Sequence, residues 1–192
     1  MIGVSNTNNY TDPELIRIVA EIFKNEMISF NDIRSCFFDV KDIDKSLDLE
    51  DVGTEEKVSV NAILLVDNES DVSKEIKDRF PKTIDFLKKM PGVKIASCVA
   101  IAPNSIVPLH LDDMDSPAYQ LNDWYAVLIG VVVPDPNLVG MKIGDNIYTH
   151  TQGTSIIFDT QIPHSAWNKT DDWWVTLRLS TKKEFFKNEN IS

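Results

Sequence analysis

From Val93 to Ser180 the chain breaks into seven short β-rich runs: VKIASCVAIA (93–102), SIVPLH (105–110), WYAVLIGVVV (124–133), VGMKIG (139–144), NIYTH (146–150), TSIIFD (154–159) and WWVTLRLS (173–180). Pro103-Asn104, Pro134-Asp135-Pro136-Asn137, Gly144-Asp145-Asn146 and Gln152-Gly153 separate them, residue types that favour turns. So many short strands at this spacing restrict the second half of the chain to a sandwich, a barrel or a jelly roll.

The first half reads differently. Thr11-Asp12-Pro13-Glu14 is a helix start, with Thr11 or Asp12 able to cap and Pro13 suited to the first turn. Leu15, Ile16, Ile18, Val19, Ile22 and Phe23 keep helical spacing to about Met27. Asp42 to Glu56 is an acidic stretch read as a solvated loop, and VSVNAILLV (58–66) as a strand. Asn68 to Lys89 reads as one or two helices, because Pro81 interrupts the pattern at Phe80. With 43% apolar residues, 192 residues suffice for one core. The expectation is a single domain, 1–192, with a mostly helical layer over 1–90 packed on a β-core over 91–186.

A net charge of −11 argues against nucleic-acid binding, which needs a basic surface to neutralise phosphates. It argues equally against docking on an anionic membrane. No apolar stretch reaches membrane-spanning length. MIGVSNTNNYTDPE lacks a basic segment followed by an apolar one, so no secretion signal is expected. Cys36 and Cys98 are too few for a disulfide framework and read as reduced thiols in a cytoplasmic protein.

Chemistry concentrates in the β-half. His110-Leu111-Asp112 places two metal-ligand types at i and i+2, which share a face on an extended segment. His164, in IIFDTQIPHSAWN (156–168), offers a third. Two imidazoles and a carboxylate on one face of an ion form the facial triad of non-haem Fe(II) oxygenases, with the opposite positions open. A His-x-Asp pair alone is a weak signal, and in HLDDMDSP it also reads as an acidic surface turn. Arg178 strengthens the functional reading. It is the one arginine in 91–192, and burying a guanidinium in an apolar strand is costly unless it faces an anion. Its planar fork suits a carboxylate, and Ser180, on the same side of the strand, could donate to the same group. Trp124, Tyr125, Tyr119, Asp113 and Asp115 are candidates for the mouth of such a site, although ordinary packing or solvated surface explains each of them better. His150, Trp167, Trp173 and Trp174 read as structural.

Taken together, PGVKIASCVAIAPNSIVPLH, GVVVPD and QGTSIIFDTQIPHSAWN resemble the aspartyl/asparaginyl β-hydroxylase family of Fe(II)/2-oxoglutarate dioxygenases. The resemblance covers about Pro91 to Phe186. It implies a double-stranded β-helix, the cupin-like jelly roll. It also implies iron ligation by His110 and His164 and chelation by 2-oxoglutarate. The best-known animal members have no carboxylate in the metal triad while others have His-x-Asp, and Asp112 makes this chain resemble the latter, with the full triad. Some members hold 2-oxoglutarate with an arginine on the strand after the first histidine. No Lys or Arg lies between Leu111 and Leu138 here, so Arg178 and Ser180 are the expected anchor.

The activity implied is hydroxylation of an unactivated C–H bond of an amino acid, or a peptide or carrier-tethered derivative, using O₂ and releasing succinate and CO₂. Related halogenases lack the carboxylate, so Asp112 favours hydroxylation. The alternative from another class is a non-catalytic cupin-like module that binds a metal or small ligand. A keto-acid-independent cupin enzyme ranks lower, because no extra histidine lies near His110.

Overall fold

In the computed structural model, residues 12–27, 38–39, 57–67, 71–112 and 123–186 are described. Helix α1 (Pro13–Met27) begins as its sequence dictates: Asp12 Oδ1 accepts from the Glu14 amide at 3.0 Å. Ile16, Val19, Ala20, Phe23 and Met27 form its buried face. Helices α2 (Lys74–Arg79) and α3 (Pro81–Lys89) are split at Phe80, with Pro81 opening α3. A cap for α3 comes from elsewhere in the chain. Glu26 on α1 accepts from the amides of Lys82 and Thr83, both at 2.8 Å, and from the Thr83 hydroxyl at 2.6 Å. A carboxylate at a helix N-terminus satisfies orphan donors and complements the dipole.

Eleven described strands form two sheets. They are β1 (Phe38–Asp39), β2 (Lys57–Val58), β3 (Val60–Asp67), β4 (Val93–Ile101), β5 (Ser105–His110), β6 (Trp124–Val132), β7 (Val139–Ile143), β8 (Asn146–Thr149), β9 (Ser155–Asp159), β10 (His164–Asn168) and β11 (Trp174–Lys182). One sheet has the order β1-β3-β4-β11-β6-β9, the other β2-β5-β10-β7-β8. All pairings are antiparallel except β2 with β5. From β4 to β11 each strand passes to the other sheet except at the β7–β8 hairpin, which rolls the two sheets into a jelly roll with N-terminal helices.

The larger sheet buries both faces, and β11 shows how. Val175, Leu177 and Leu179 join α1, α2 and α3 in the outer core, while Trp174 lies in the inner core with Ala126, Leu128, Met141, Phe158 and Ala166. Side chains alternate along a strand, so Arg178 and Ser180 face the interior of the roll. β3 and β1 extend this sheet, so the N-terminal part supplies strands as well as helices.

The boundary at Pro91-Gly92 is a tight turn. Gly92 has φ +77°, and the Phe185 ring lies where a side chain would project. The 3₁₀ turn at Lys183–Phe186 closes over it. The seven runs read from the sequence all form strands, within a residue or two. β10 was not among them, because HSAWN has no continuous apolar run. The acidic segment expected as a loop, Asp42 to Glu56, lies outside the described residues. No described helix is long and apolar enough to cross a membrane.

Candidate metal centre

β5 ends at His110 and β10 begins at His164, and the two are direct partners in the antiparallel ladder. A register shift between His164 and Ala166 falls at this point, a local irregularity of the kind that re-aims side chains. The two imidazoles lie with ring centroids 4.3 Å apart, tilted by 54°. Phe158 packs against His164 at 4.7 Å. Asp112, just past the strand end, turns its Oδ1 toward both rings: 3.9 Å from His110 Nε2 and 3.7 Å from His164 Nε2. The three candidate ligand atoms all lie within 4.8 Å of one another.

The opposite ring nitrogens fix the tautomers. His110 Nδ1 bonds the Pro108 carbonyl oxygen at 2.8 Å, and His164 Nδ1 bonds the Ile162 carbonyl oxygen at 2.9 Å. A carbonyl only accepts, so each Nδ1 carries a proton, and in the neutral ring Nε2 is then the nitrogen that presents a lone pair. This is the arrangement that metal-binding histidines use. A first-row ion with bonds of about 2.1 Å spaces adjacent donors by about 3 Å, so small side-chain adjustments would close the set. The donor types and their orientation fit a divalent metal.

Electrostatics agree. Burial pushes the His164 imidazolium pKa down to about 4, with Asp112 opposing and His110 and Arg178 adding to the shift. The ring is therefore neutral at physiological pH. Burial alone would raise the Asp112 carboxyl, but Arg178, His164 and His110 together hold it below the usual carboxylate range. The ligand set is thus one anion and at least one neutral imidazole, ready for a cation.

Arg178 reaches the site by a route the sequence did not indicate. Its Nη2 contacts Asp112 Oδ2, and its Nη1 donates to Ser180 Oγ at 3.1 Å. The side chains of Arg178 and Asp112 remain 21% and 17% exposed, so the centre opens to solvent on this side. All five residues singled out for the site therefore meet at one end of the roll.

The other candidates separate. His150 is fully buried, bonds the Thr154 carbonyl at 3.2 Å through Nε2 and packs edge-on against Trp174. It lies near Gly130, toward the end of β6 away from the metal centre, and is structural. Trp167 packs over Gly140. Trp124 lies at the open end, with Lys94 Nζ and Lys182 Nζ at 5.7 and 5.9 Å from its ring centroid. Asp113, Asp115 and Tyr119 lie outside the described residues.

One residue sequence reasoning missed is Asn168. Fully buried, it donates to the carbonyls of Ile101, Ala102 and Asp172 at 3.1, 3.1 and 2.8 Å and accepts from the amide and hydroxyl of Thr170 at 3.1 and 2.7 Å. It ties the far end of β10 to the β4–β5 turn, so the strand carrying His164 is anchored at both ends. Its place, separated from the WWVTLRLS run by the four polar residues Lys169 to Asp172, gave no local sign of this role.

Comparison with known proteins places the molecule further. A family model described as aspartyl/asparaginyl beta-hydroxylase matches residues 18–183. An ornithine lipid ester-linked acyl 2-hydroxylase from Rhizobium tropici is 28% identical over 98 residues, which are 50% of this chain and 32% of that protein. The chain thus matches about a third of that relative's length. Among solved structures, an oxidoreductase of the 2OG-Fe(II) oxygenase family from Burkholderia pseudomallei aligns with a TM-score of 0.48 at 12% identity, covering 72% of this chain and 78% of its own. A cupin 2 conserved barrel domain protein from Salinispora arenicola aligns with a TM-score of 0.34 at 12% identity, covering 47% and 65%.

Proposed function

The chain belongs to the aspartyl/asparaginyl β-hydroxylase family, and from that premise we propose that it is an Fe(II)/2-oxoglutarate-dependent hydroxylase of an amino acid or amino-acid-derived substrate. The observation that carries the reading is the convergence of His110 Nε2, His164 Nε2 and Asp112 Oδ1, with both Nδ1 protons committed to backbone carbonyls. In this reading those three residues hold Fe(II). When bound, the iron and its keto acid supply the oxidising chemistry, consuming O₂ and releasing succinate and CO₂ as an unactivated C–H bond is hydroxylated.

The protein's own task is positioning. Arg178 and Ser180 lie beside the triad, and a guanidinium has five donors, of which one contacts Asp112 and one bonds Ser180. The rest of the fork suits the distal carboxylate of 2-oxoglutarate. Phe158 against His164 keeps water from that side of the ring. The relative named for acyl hydroxylation of an ornithine lipid supports an amino-acid-linked substrate class. Cys98, buried and unbridged, suits a reducing cytoplasm.

The test is turnover. Protein loaded anaerobically with Fe(II) and 2-oxoglutarate is exposed to ¹⁸O₂ with free amino acids, N-acyl amino acids and short peptides. The reading expects succinate formation stimulated by one class, with one ¹⁸O in the product. Succinate no higher than from His164→Ala, across the whole panel, would leave a binding module as the better account.

A further inference from the structure

Arg178 was expected to face only the keto acid, yet its contact is with the metal carboxylate itself. The two oxygens of Asp112 are divided. Oδ1 points between the imidazoles, at 3.9 and 3.7 Å from their Nε2 atoms, while Oδ2 is held by Arg178 Nη2. The guanidinium is itself fixed. It rises from β11 between its neighbours β4 and β6, opposite Ser97 and Leu128, and its Nη1 donates to Ser180 Oγ at 3.1 Å. Asp112, by contrast, lies beyond the end of β5 and has no ladder partner to orient it.

We propose that Arg178 is a positioning residue for Asp112: by gripping Oδ2 from the rigid β11 strand it presents Oδ1 alone to the metal position. The proposal rests on the metal-site reading above and extends it. A carboxylate free to rotate could offer both oxygens and occupy two positions on the ion. Held at one oxygen, it takes one position and leaves room for the keto acid and O₂. Outer partners of this kind typically contribute about 10–100-fold to metal affinity.

A guanidinium also repels a cation, and this opposes its orienting effect on affinity. A double-mutant cycle separates the two, because repulsion between Arg178 and the metal acts whether or not Asp112 is present, whereas orientation requires Asp112. The probe is Mn(II) alone, with no keto acid, and the readout is the loss of the free-ion electron paramagnetic resonance signal on titration into the full chain. Arg178→Gln is compared in the native and Asp112→Ala backgrounds.

The expected result is that Arg178→Gln weakens Mn(II) binding at least about 10-fold more in the native background than in Asp112→Ala. Equal effects in both backgrounds, or a gain in affinity confined to the Asp112-containing chain, would overturn the proposal. Arg178→Lys keeps the charge but not the fork, and serves in the same cycle where the glutamine variant does not fold. Wild-type protein that binds Mn(II) no better than His110→Ala would instead remove the metal site, and this proposal with it. The two failures are therefore distinguishable.

Discussion

Replacing Asn168 by aspartate changes one atom and reverses the electrostatics of a buried hub. In the native chain Nδ2 donates to three carbonyls, of Ile101, Ala102 and Asp172. A carboxylate cannot donate, so Asn168→Asp leaves three acceptors facing a negative charge with almost no access to water. Net loss of a typical hydrogen bond costs about 1 kcal/mol, and an orphaned buried polar group about 1–3. The bonds accepted from Thr170 survive and offset part of this. The expected loss is about 3–5 kcal/mol, a large fraction of a domain stability of roughly 5–15 kcal/mol. The sign of its pH dependence follows. The new carboxyl has its folded-state pKa raised by burial and by the carbonyls, so its destabilisation is greatest at neutral pH. It shrinks as pH falls through that raised pKa, when a protonated carboxyl regains a donor. Urea unfolding at pH 7.5 and 5.5, each against the native chain at the same pH, measures both effects. Asn168→Ala separates lost bonds from added charge. A loss under about 1 kcal/mol at pH 7.5, or the same loss for Asp and Ala, would refute the reasoning.

Further expectations follow from named contacts. Glu26→Ala, which uncaps α3, should cost about 1–2 kcal/mol by urea unfolding while leaving metal affinity unchanged. Burial lowers the His150 imidazolium pKa to about 4, against about 6.5 unfolded, so the unfolded chain takes up a proton that the folded chain refuses. Stability should therefore fall as pH drops from about 6.5 toward 4, by about 2 kcal/mol at pH 5 from this residue. A His150→Gln variant should show a correspondingly shallower pH dependence. Burial raises the Cys98 thiol above its ordinary value, so in a Cys36→Ser chain a thiol reagent should label Cys98 only after unfolding.

The helices were legible because their signals are local: Asp12 and Pro13 at the start of α1, and Pro81 between α2 and α3. The strands were legible as apolar runs between turn residues. β10 escaped because its inward positions are His164, Ala166 and Asn168, of which only alanine is apolar. The triad was legible as residue types at a recognised spacing. Its orientation was not, since the carbonyls that set the tautomers belong to backbone geometry. Nor was the grip of Arg178 on Asp112, which joins residues 66 apart in the chain. The lone arginine was noticed because burying it demands an anion, but the pattern could not say which anion. The Glu26 cap and the Asn168 hub are of the same kind: side chains satisfying backbone groups 56 to 67 residues away.

The central claim is that His110, Asp112 and His164 hold one iron that 2-oxoglutarate chelates. Anaerobic titration of the protein with Fe(II) and then 2-oxoglutarate, followed by visible absorption, tests it most directly. The account predicts a weak charge-transfer band that saturates at one iron per chain and is lost in His110→Ala and His164→Ala. No band in the native protein, or one that persists in both variants, would contradict it.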